Sequence, residues 1–281
     1  MLEIIDTHQH LWDTSNLNYP WLEDFDALEK RYLIQDYRQA NAGLNIVWSV
    51  HVEGDPAPEH VVDEVKWLTQ IAKEDGMIGA IVAAAPLEEP NVEAILEQLT
   101  ESELVVGVRR MAWHRPDYQF YSSSELIEGV QRLEKFDLSF DLCAHYEQLP
   151  AAIELVKATP NIRHAVNHCG GPDIQGGRFQ PWADHMSELA SFDNVHCKIS
   201  GIVTRASENW TKEELKPYID HLVSAFGYER LMFGSDWPVC TLAAEYADWL
   251  DALLWAVQDA SDGEKRKLFY DTAKQFYRID K

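Results

Sequence analysis

The sequence has no apolar run long enough to cross a bilayer. Its longest, residues 77–87 with Gly79 and Pro86 counted in, falls well short of the roughly 20 residues a membrane helix needs. Basic residues are scarce: 24 Lys and Arg stand against 47 Asp and Glu, a net charge of -23. A field of that sign repels phosphate backbones and anionic membrane surfaces, so nucleic acid and lipid are excluded as partners and a small-molecule substrate is expected. Oligomeric state is left open. Cysteine is sparse as well. Cys143, Cys169, Cys197 and Cys240 contain no Cys-x-x-Cys pair, which argues against a zinc knuckle, a dithiol redox motif and a disulfide scaffold and leaves reduced packing thiols. The first residues lack the basic and apolar stretches of a secretory signal, and Asp6 interrupts them early, so a cytoplasmic location is expected. No Gly-, Ser- or Pro-rich linker, repeat or low-complexity segment divides the chain. The expectation is one domain over residues 1–281.

What is present is a rhythm. Short apolar, β-branched runs begin near Leu2, Ile46, Met77, Val105, Leu138, Ile162, Val195 and Arg230. Each is followed by a polar loop and a stretch with helical spacing of apolar residues. The mean step is about 33 residues, the length of one strand-loop-helix unit, and eight such units predict a (β/α)8 TIM barrel. Helix starts are marked at Thr211-Lys212-Glu213-Glu214 and Ser261-Asp262-Gly263-Glu264, where a hydroxyl and a carboxylate can satisfy free amides. Between 58 and 75, Val61, Val62, Val65, Leu68, Ile71 and Ala72 form one apolar stripe. The widest gap between strands includes residues 12–38, whose Trp12, Tyr19, Trp21, Phe25, Tyr32 and Tyr37 are expected to fold over the barrel mouth.

In a (β/α)8 barrel, functional residues collect at the carboxyl ends of the strands. The first strand ends in Asp6-Thr7-His8-Gln9-His10, and period-two alternation puts Asp6, His8 and His10 on one side. The sixth ends at His168, followed by Cys169-Gly170-Gly171-Pro172, and the eighth delivers Asp236 soon after an apolar run and a glycine. A carboxylate is costly there unless it is paired or holds a metal, which makes Asp236 the candidate catalytic base. Together His8, His10, His168 and Asp236 would make a mononuclear site for zinc or another divalent metal, with an open position for water. Other strand ends supply Arg109, Arg110, His145, Lys198 and Ser200 as candidates to bind a substrate's hydroxyls or carbonyl, with His51, His114 and Trp237 nearby. Each of these residues also has a structural reading: His168 as a satisfied core histidine, Asp236 as a cap or loop anchor, Arg109 as a rim ion pair. What favours function is the convergence of His8, His10, His168 and Asp236 on one end of a barrel inferred separately from spacing.

Five segments in order, Ile5-Asp6-Thr7-His8-Gln9-His10-Leu11-Trp12 with Tyr19-Pro20-Trp21, Gly107-Val108-Arg109, Asn167-His168-Cys169-Gly170-Gly171-Pro172, Lys198-Ile199-Ser200-Gly201 with Thr204, and Phe233-Gly234-Ser235-Asp236-Trp237-Pro238, resemble the lactonase branch of the amidohydrolase superfamily. That branch is metal-independent or weakly metal-dependent, and its likeness is to the enzymes that open L-fuconolactone or L-rhamnonolactone. The resemblance implies a (β/α)8 fold, hydrolysis of a sugar lactone to its aldonic acid, and roles for His8, His10, His168 and Asp236. Two departures stand out. Thr272-Ala273 occupies the place of an Asn-Ala pair, and His145 replaces another residue type after the fifth strand, where it would serve as a metal ligand or read a substrate hydroxyl. The rival readings are a zinc-dependent decarboxylase of the same superfamily and a non-catalytic ligand-binding barrel.

Overall fold

The computed structural model describes residues 2–279. Eight strands, β1 (Ile4–Gln9), β2 (Ile46–Val52), β3 (Ile78–Ala84), β4 (Val105–Arg109), β5 (Ser139–Leu142), β6 (His164–Val166), β7 (Val195–Ile199) and β8 (Leu231–Phe233), pair in parallel in chain order. Each starts within two residues of the place its apolar run predicts. The ring closes between β1 and β8 through Asp236 N–H to the His8 carbonyl and His10 N–H to the Trp237 carbonyl, both 2.7 Å. Outside it lie α1 (Ile34–Ala40), α2 (Val61–Asp75), α3 (Val92–Leu99), α4 (Ser124–Arg132), α5 (Leu149–Ala158), α6 (Trp182–Ala190), α7 (Lys212–Phe226) and α8 (Tyr246–Ala256). None of the described helices is long and apolar enough to cross a membrane. All four cysteines are free and buried.

Alternation along the strands sorts side chains into two cores. Ile4, Ile46, Ile81 and Val108 pack outward against the helices, while Ile5, Val50, Val52, Ala80, Val82, Ala165 and Met232 fill the barrel. The C-terminal residues Ala273, Phe276, Tyr277 and Ile279 join the inner set. They plug the amino-terminal ends of the strands: Ile279 packs at Gly79 in the start of β3, and Arg163, just before β6, donates to the Phe276 carbonyl at 2.5 Å. One end of the barrel is thereby closed, and the loops after the strands hold the open end.

The first-strand prediction needs one correction. Asp6 does not share a side with His8 and His10; its carboxylate accepts from the Tyr37 hydroxyl at 2.8 Å and the Tyr246 hydroxyl at 3.0 Å, on α1 and α8, and from Ser235 N–H and Oγ at 2.8 and 2.6 Å. The β1–β2 register slips between Asp6 and Gln9, and such a bulge restarts the two-residue alternation. His8 therefore turns to the mouth while Asp6 turns to the helices.

Buried neutral histidines make the fold acid-sensitive. His164 is enclosed in β6 with Nε2 2.9 Å from Thr159 Oγ1, and burial holds its pKa at about 4. An unfolded histidine titrates near 6.5 and each pKa unit is worth about 1.4 kcal/mol. The unfolded chain thus takes up the proton first, and the contribution of His164, full above pH 6.5, is lost as pH falls toward 4. In urea titrations of His164→Gln, the stability lost between pH 7 and pH 5 is expected to shrink by about 2 kcal/mol relative to the parent. An unchanged slope would show that His164 is not held neutral.

Candidate active site

Asp236 lies at the centre of the open end, buried, with a backbone φ of 61°. A non-glycine residue in the left-handed region is strained unless its surroundings hold it. Here its amide is tied to the His8 carbonyl and its own carbonyl accepts from Cys240 N–H at 2.8 Å. Gly234, just before it, allows β8 to lie against β1, since a Cβ there would stand 2.7 Å from that of His8.

The histidines divide between the two carboxylate oxygens. His10 Nε2 and His8 Nε2 stand 3.4 and 3.7 Å from Asp236 Oδ1, whereas His168 Nδ1 stands 3.9 Å from Oδ2. His10 donates from Nδ1 to the Val52 carbonyl at 2.7 Å, which leaves its Nε2 lone pair facing the cluster when the ring is neutral. His168 is oriented by Ser200, whose Oγ is 3.2 Å from Nδ1. Its ring lies 4.4 Å from that of His8. Like Asp236, His168 has positive φ, 51°, as does Cys169, and the glycines that follow complete the turn.

Electrostatics set clear protonation states. Burial pushes the Asp236 carboxyl up, but His168, His10 and Arg109 pull it down more strongly, and it lies below the ordinary carboxylate range. Burial, reinforced by neighbouring positive groups, holds His8 well below the usual imidazole value. His168 is held at about 4, chiefly by burial and against the pull of Asp236. At neutral pH the centre is an ionised carboxylate among imidazoles of which His8 and His168 are neutral.

One nitrogen each from His8 and His10 and one oxygen from Asp236 all lie within 4.8 Å of one another. Two imidazole nitrogens and a carboxylate are a donor set suited to zinc or another divalent cation. His168, on the far oxygen, falls outside that group of three. Arg109 stands on the other flank, with Nη1 3.4 Å from His8 Nε2. It is both a rim ion pair and a site residue: Nε donates to Glu53 Oε1 at 2.5 Å and Nη2 to the Glu53 carbonyl at 2.8 Å.

A cavity of about 250 Å³ opens above this centre, lined by His10, Arg109, His168 and Asp236 and walled by Trp21, Phe25, Leu28 and others. Liquid water occupies about 30 Å³ per molecule, so the space equals roughly eight waters, the scale of one monosaccharide. The long first loop does reach the mouth, through those three apolar side chains.

A model of the family described as Amidohydrolase matches residues 5–279. The chain belongs to that family. As an amidohydrolase it is 29% identical over 282 residues to an L-fucono-1,5-lactonase of Burkholderia ambifaria, covering 99% of this chain and 96% of the relative. It is 32% identical to y4mH, an uncharacterised protein of Sinorhizobium fredii, over 99% of both chains. Among solved structures, a Burkholderia multivorans amidohydrolase with bound zinc superposes with a TM-score of 0.88 at 27% identity, over 99% of this chain and all of that one.

Several residues singled out by sequence lie elsewhere in this amidohydrolase. Lys198 points inward but sits beneath the cavity, fully buried, with Nζ 2.6 Å from Asp141 Oδ2. His51 is buried beside His10, ring centroids 6.3 Å apart, and also falls outside the cavity lining. Trp237 is wedged against Tyr32 and Tyr37, each 5.4 Å away, where it anchors the first loop rather than walling the cavity. The side chain of Arg110 turns to Glu88. His114 does line the cavity. His145 stacks on Trp113 at 3.8 Å, with Nδ1 3.4 Å from Arg205 Nη2, so it joins neither the metal-type cluster nor the cavity lining. Thr272, at the unusual Thr-Ala position, bonds the Tyr228 carbonyl at 3.1 Å.

Sequence reading missed Glu53, Asp141 and Arg205. The first directly follows β2, a position the strand-end rule covers. The second is a carboxylate inside the apolar run Phe140-Asp141-Leu142, which signals a buried partner. Cys143 reaches the cavity wall, but burial pushes its thiol up to about 12, which leaves it protonated and a poor nucleophile.

Proposed function

We propose that this protein hydrolyses a sugar lactone of the L-fucono- or L-rhamnono-lactone type to its aldonic acid, with Asp236 as general base. The observation that carries the proposal is an ionised, buried carboxylate at the floor of a monosaccharide-sized cavity, with ring nitrogens facing both its oxygens. The lactonase relatives, matched over nearly their whole length, support the substrate class.

Asp236 takes a proton from a water as the water's oxygen attacks the ester carbonyl. The guanidinium of Arg109, held charged by Glu53, supplies fixed positive potential for the oxyanion. As the C–O bond breaks, the proton on Asp236 passes to the departing ring oxygen, and the carboxylate is restored. Ser200 keeps His168 beside the second oxygen of Asp236. His8, His10 and Asp236 would hold a divalent cation, which when bound supplies Lewis-acid activation of water and carbonyl.

The test is acid release by the purified protein on a panel of sugar and aliphatic lactones, as isolated and after chelation. Opening of a sugar lactone supports the proposal, and no opening under either condition, or after zinc is added back, overturns it. Loss on chelation with recovery on zinc addition assigns the cation a working role; persistence leaves water activation to Asp236.

Gly201 offers a second check on the same centre. It has φ 57°, and a Cβ there would lie 2.4 Å from His168 Nδ1 and 3.0 Å from Asp236 Oδ2. Gly201→Ala is expected to reduce kcat/KM at least tenfold on the best lactone and to cost about 1–3 kcal/mol of stability from backbone strain. Full activity would mean that His168 has freedom the packing denies it.

A further inference from the structure

A second compartment adjoins the catalytic cavity. It measures about 530 Å³, more than twice the 250 Å³ above Asp236, and lies on the side of the mouth built from the first loop and the loops after β2, β3 and β4. Trp21, Phe25, Asp55 and His114 line both spaces, so the two meet along these four side chains. The outer walls are stiff, because Pro20, Pro56, Pro58 and Pro86 restrict the backbone that forms them. A preformed wall loses little freedom when a ligand arrives. A single lactone ring needs only the first cavity, and no step of the hydrolysis uses the second.

The polar groups of this compartment accept rather than donate. Arg110 is committed to Glu88, with Nε 2.9 Å from Oε2. Asp55 makes one hydrogen bond among the described residues, from its own N–H to Glu53 Oε2 at 2.5 Å, which leaves its carboxylate without a donor. Its backbone lies in the left-handed region, with φ 57°, and that amide bond holds it there, so the carboxylate stands at a fixed place on the boundary between the two spaces. Asp24 adds a second carboxylate from the first loop. Beside them the Trp21 indole is pinned by Nε1–H to the Gly54 carbonyl at 2.7 Å and by edge contacts with Trp12 and Phe25, at ring-centroid distances of 5.5 and 5.7 Å. An ionised carboxylate accepts several O–H bonds, and a flat aromatic ring packs on the apolar C–H side of a sugar. Together they suit a neutral polyol and oppose an anion.

We infer that the second compartment is a glycosyl subsite, so that the preferred substrate is an aldonolactone carrying a further neutral sugar on one of its hydroxyls. The lactone ring lies over Asp236, the added sugar packs on Trp21, and its hydroxyls donate to Asp55. The inference rests on the lactonase reading above and refines its substrate class. Only the ester opens; the glycosidic bond is untouched, and the product is the glycosyl aldonate. Binding energy from the remote sugar then serves the reacting ring.

The test compares L-rhamnono-1,5-lactone with its 2-O-, 3-O- and 4-O-β-D-glucosyl derivatives, with acid release corrected for spontaneous opening and followed for the parent protein, Ala84→Phe and Asp55→Asn. Ala84 is half-buried and lines the second compartment alone, so a phenyl ring there fills that compartment and leaves the catalytic cavity open. The parent is expected to favour one glucosyl derivative at least tenfold in kcat/KM. Ala84→Phe should erase that preference while opening the plain lactone at the parent's rate, and Asp55→Asn should reduce the preference by about threefold or more. If Ala84→Phe does not fold, Pro58→Trp on the exposed rim of the same compartment takes its place. Calorimetric titration with the matching glucosyl-L-rhamnitols, which have no ester, should show binding to the parent at least tenfold tighter than that of L-rhamnitol, and no such difference in the filled variant. If the plain lactone is opened as well as every glucosyl derivative, or the preference survives filling, the glycosyl subsite is wrong and the lactonase reading stands. If no lactone is opened, the lactonase reading fails, and the calorimetric arm still decides the subsite: glucosyl-dependent binding that filling removes upholds it, and its absence overturns it.

Discussion

Asp236→Asn is expected to lower kcat on the best lactone by about a thousandfold, equivalent to roughly 4 kcal/mol of barrier. Asparagine has nearly the same shape and retains an oxygen for one histidine, but it cannot take a proton from water. The carboxylate lies below the ordinary range because His168, His10 and Arg109 outweigh its burial, so the parent enzyme keeps its base ionised at neutral pH. The variant should fold, since its backbone bonds to His8 and Cys240 do not involve the side chain. Activity within tenfold of the parent, with an unchanged melting temperature, would remove Asp236 from the role of base. His168→Gln should do less damage, because it alters only the neighbour of the second oxygen.

The largest effect on stability is expected from Lys198→Met. Lys198 and Asp141 form an ion pair inside the barrel with no solvent exposure on either side. Asn167 Nδ2 donates to the same Asp141 oxygen at 2.9 Å, and the Tyr277 hydroxyl approaches the other at 3.4 Å. Burial lowers the Lys198 pKa, while Asp141 works against that shift. Removing the ammonium leaves a buried carboxylate facing only neutral donors, which typically costs 3–5 kcal/mol. At about 2–4 °C per kcal/mol for a chain of this size, the melting temperature should fall by roughly 10 °C. Adding Asp141→Asn to Lys198→Met should recover at least half of the loss, because the orphaned charge goes with it. No fall in the single variant, or no recovery in the double, would show that the pair does not stabilise the barrel. Tyr277 makes the pair more than local, since it belongs to the C-terminal plug that shuts the far end.

Much of the site was legible in linear order because a barrel converts sequence position into place. Strand ends gather at one mouth, so His8, His10, His168 and Asp236 could be grouped from spacing and then found around one carboxylate. The failures share a cause. Asp6 went astray through a slip in the β1–β2 register that period-two counting does not contain. Lys198 stands near a strand end in sequence, but its depth below the cavity depends on Asp141, which comes from another strand. Trp237 sits next to Asp236 in sequence, yet its ring turns to Tyr32 of the first loop and Tyr37 of α1. His145 and Arg205, sixty residues apart, reveal their relationship only by contact.

The sequence by itself determined the class of fold, the open end of the barrel and the identity of the central acid, because these follow from alternation, apolar spacing and the cost of placing a charge after a hydrophobic strand. Only the tertiary structure decided which charges are already matched. Pairing depends on distances between side chains carried by different strands, and those distances leave Arg109 and Lys198 neutralised by Glu53 and Asp141 while Asp55 stands free at the cavity wall.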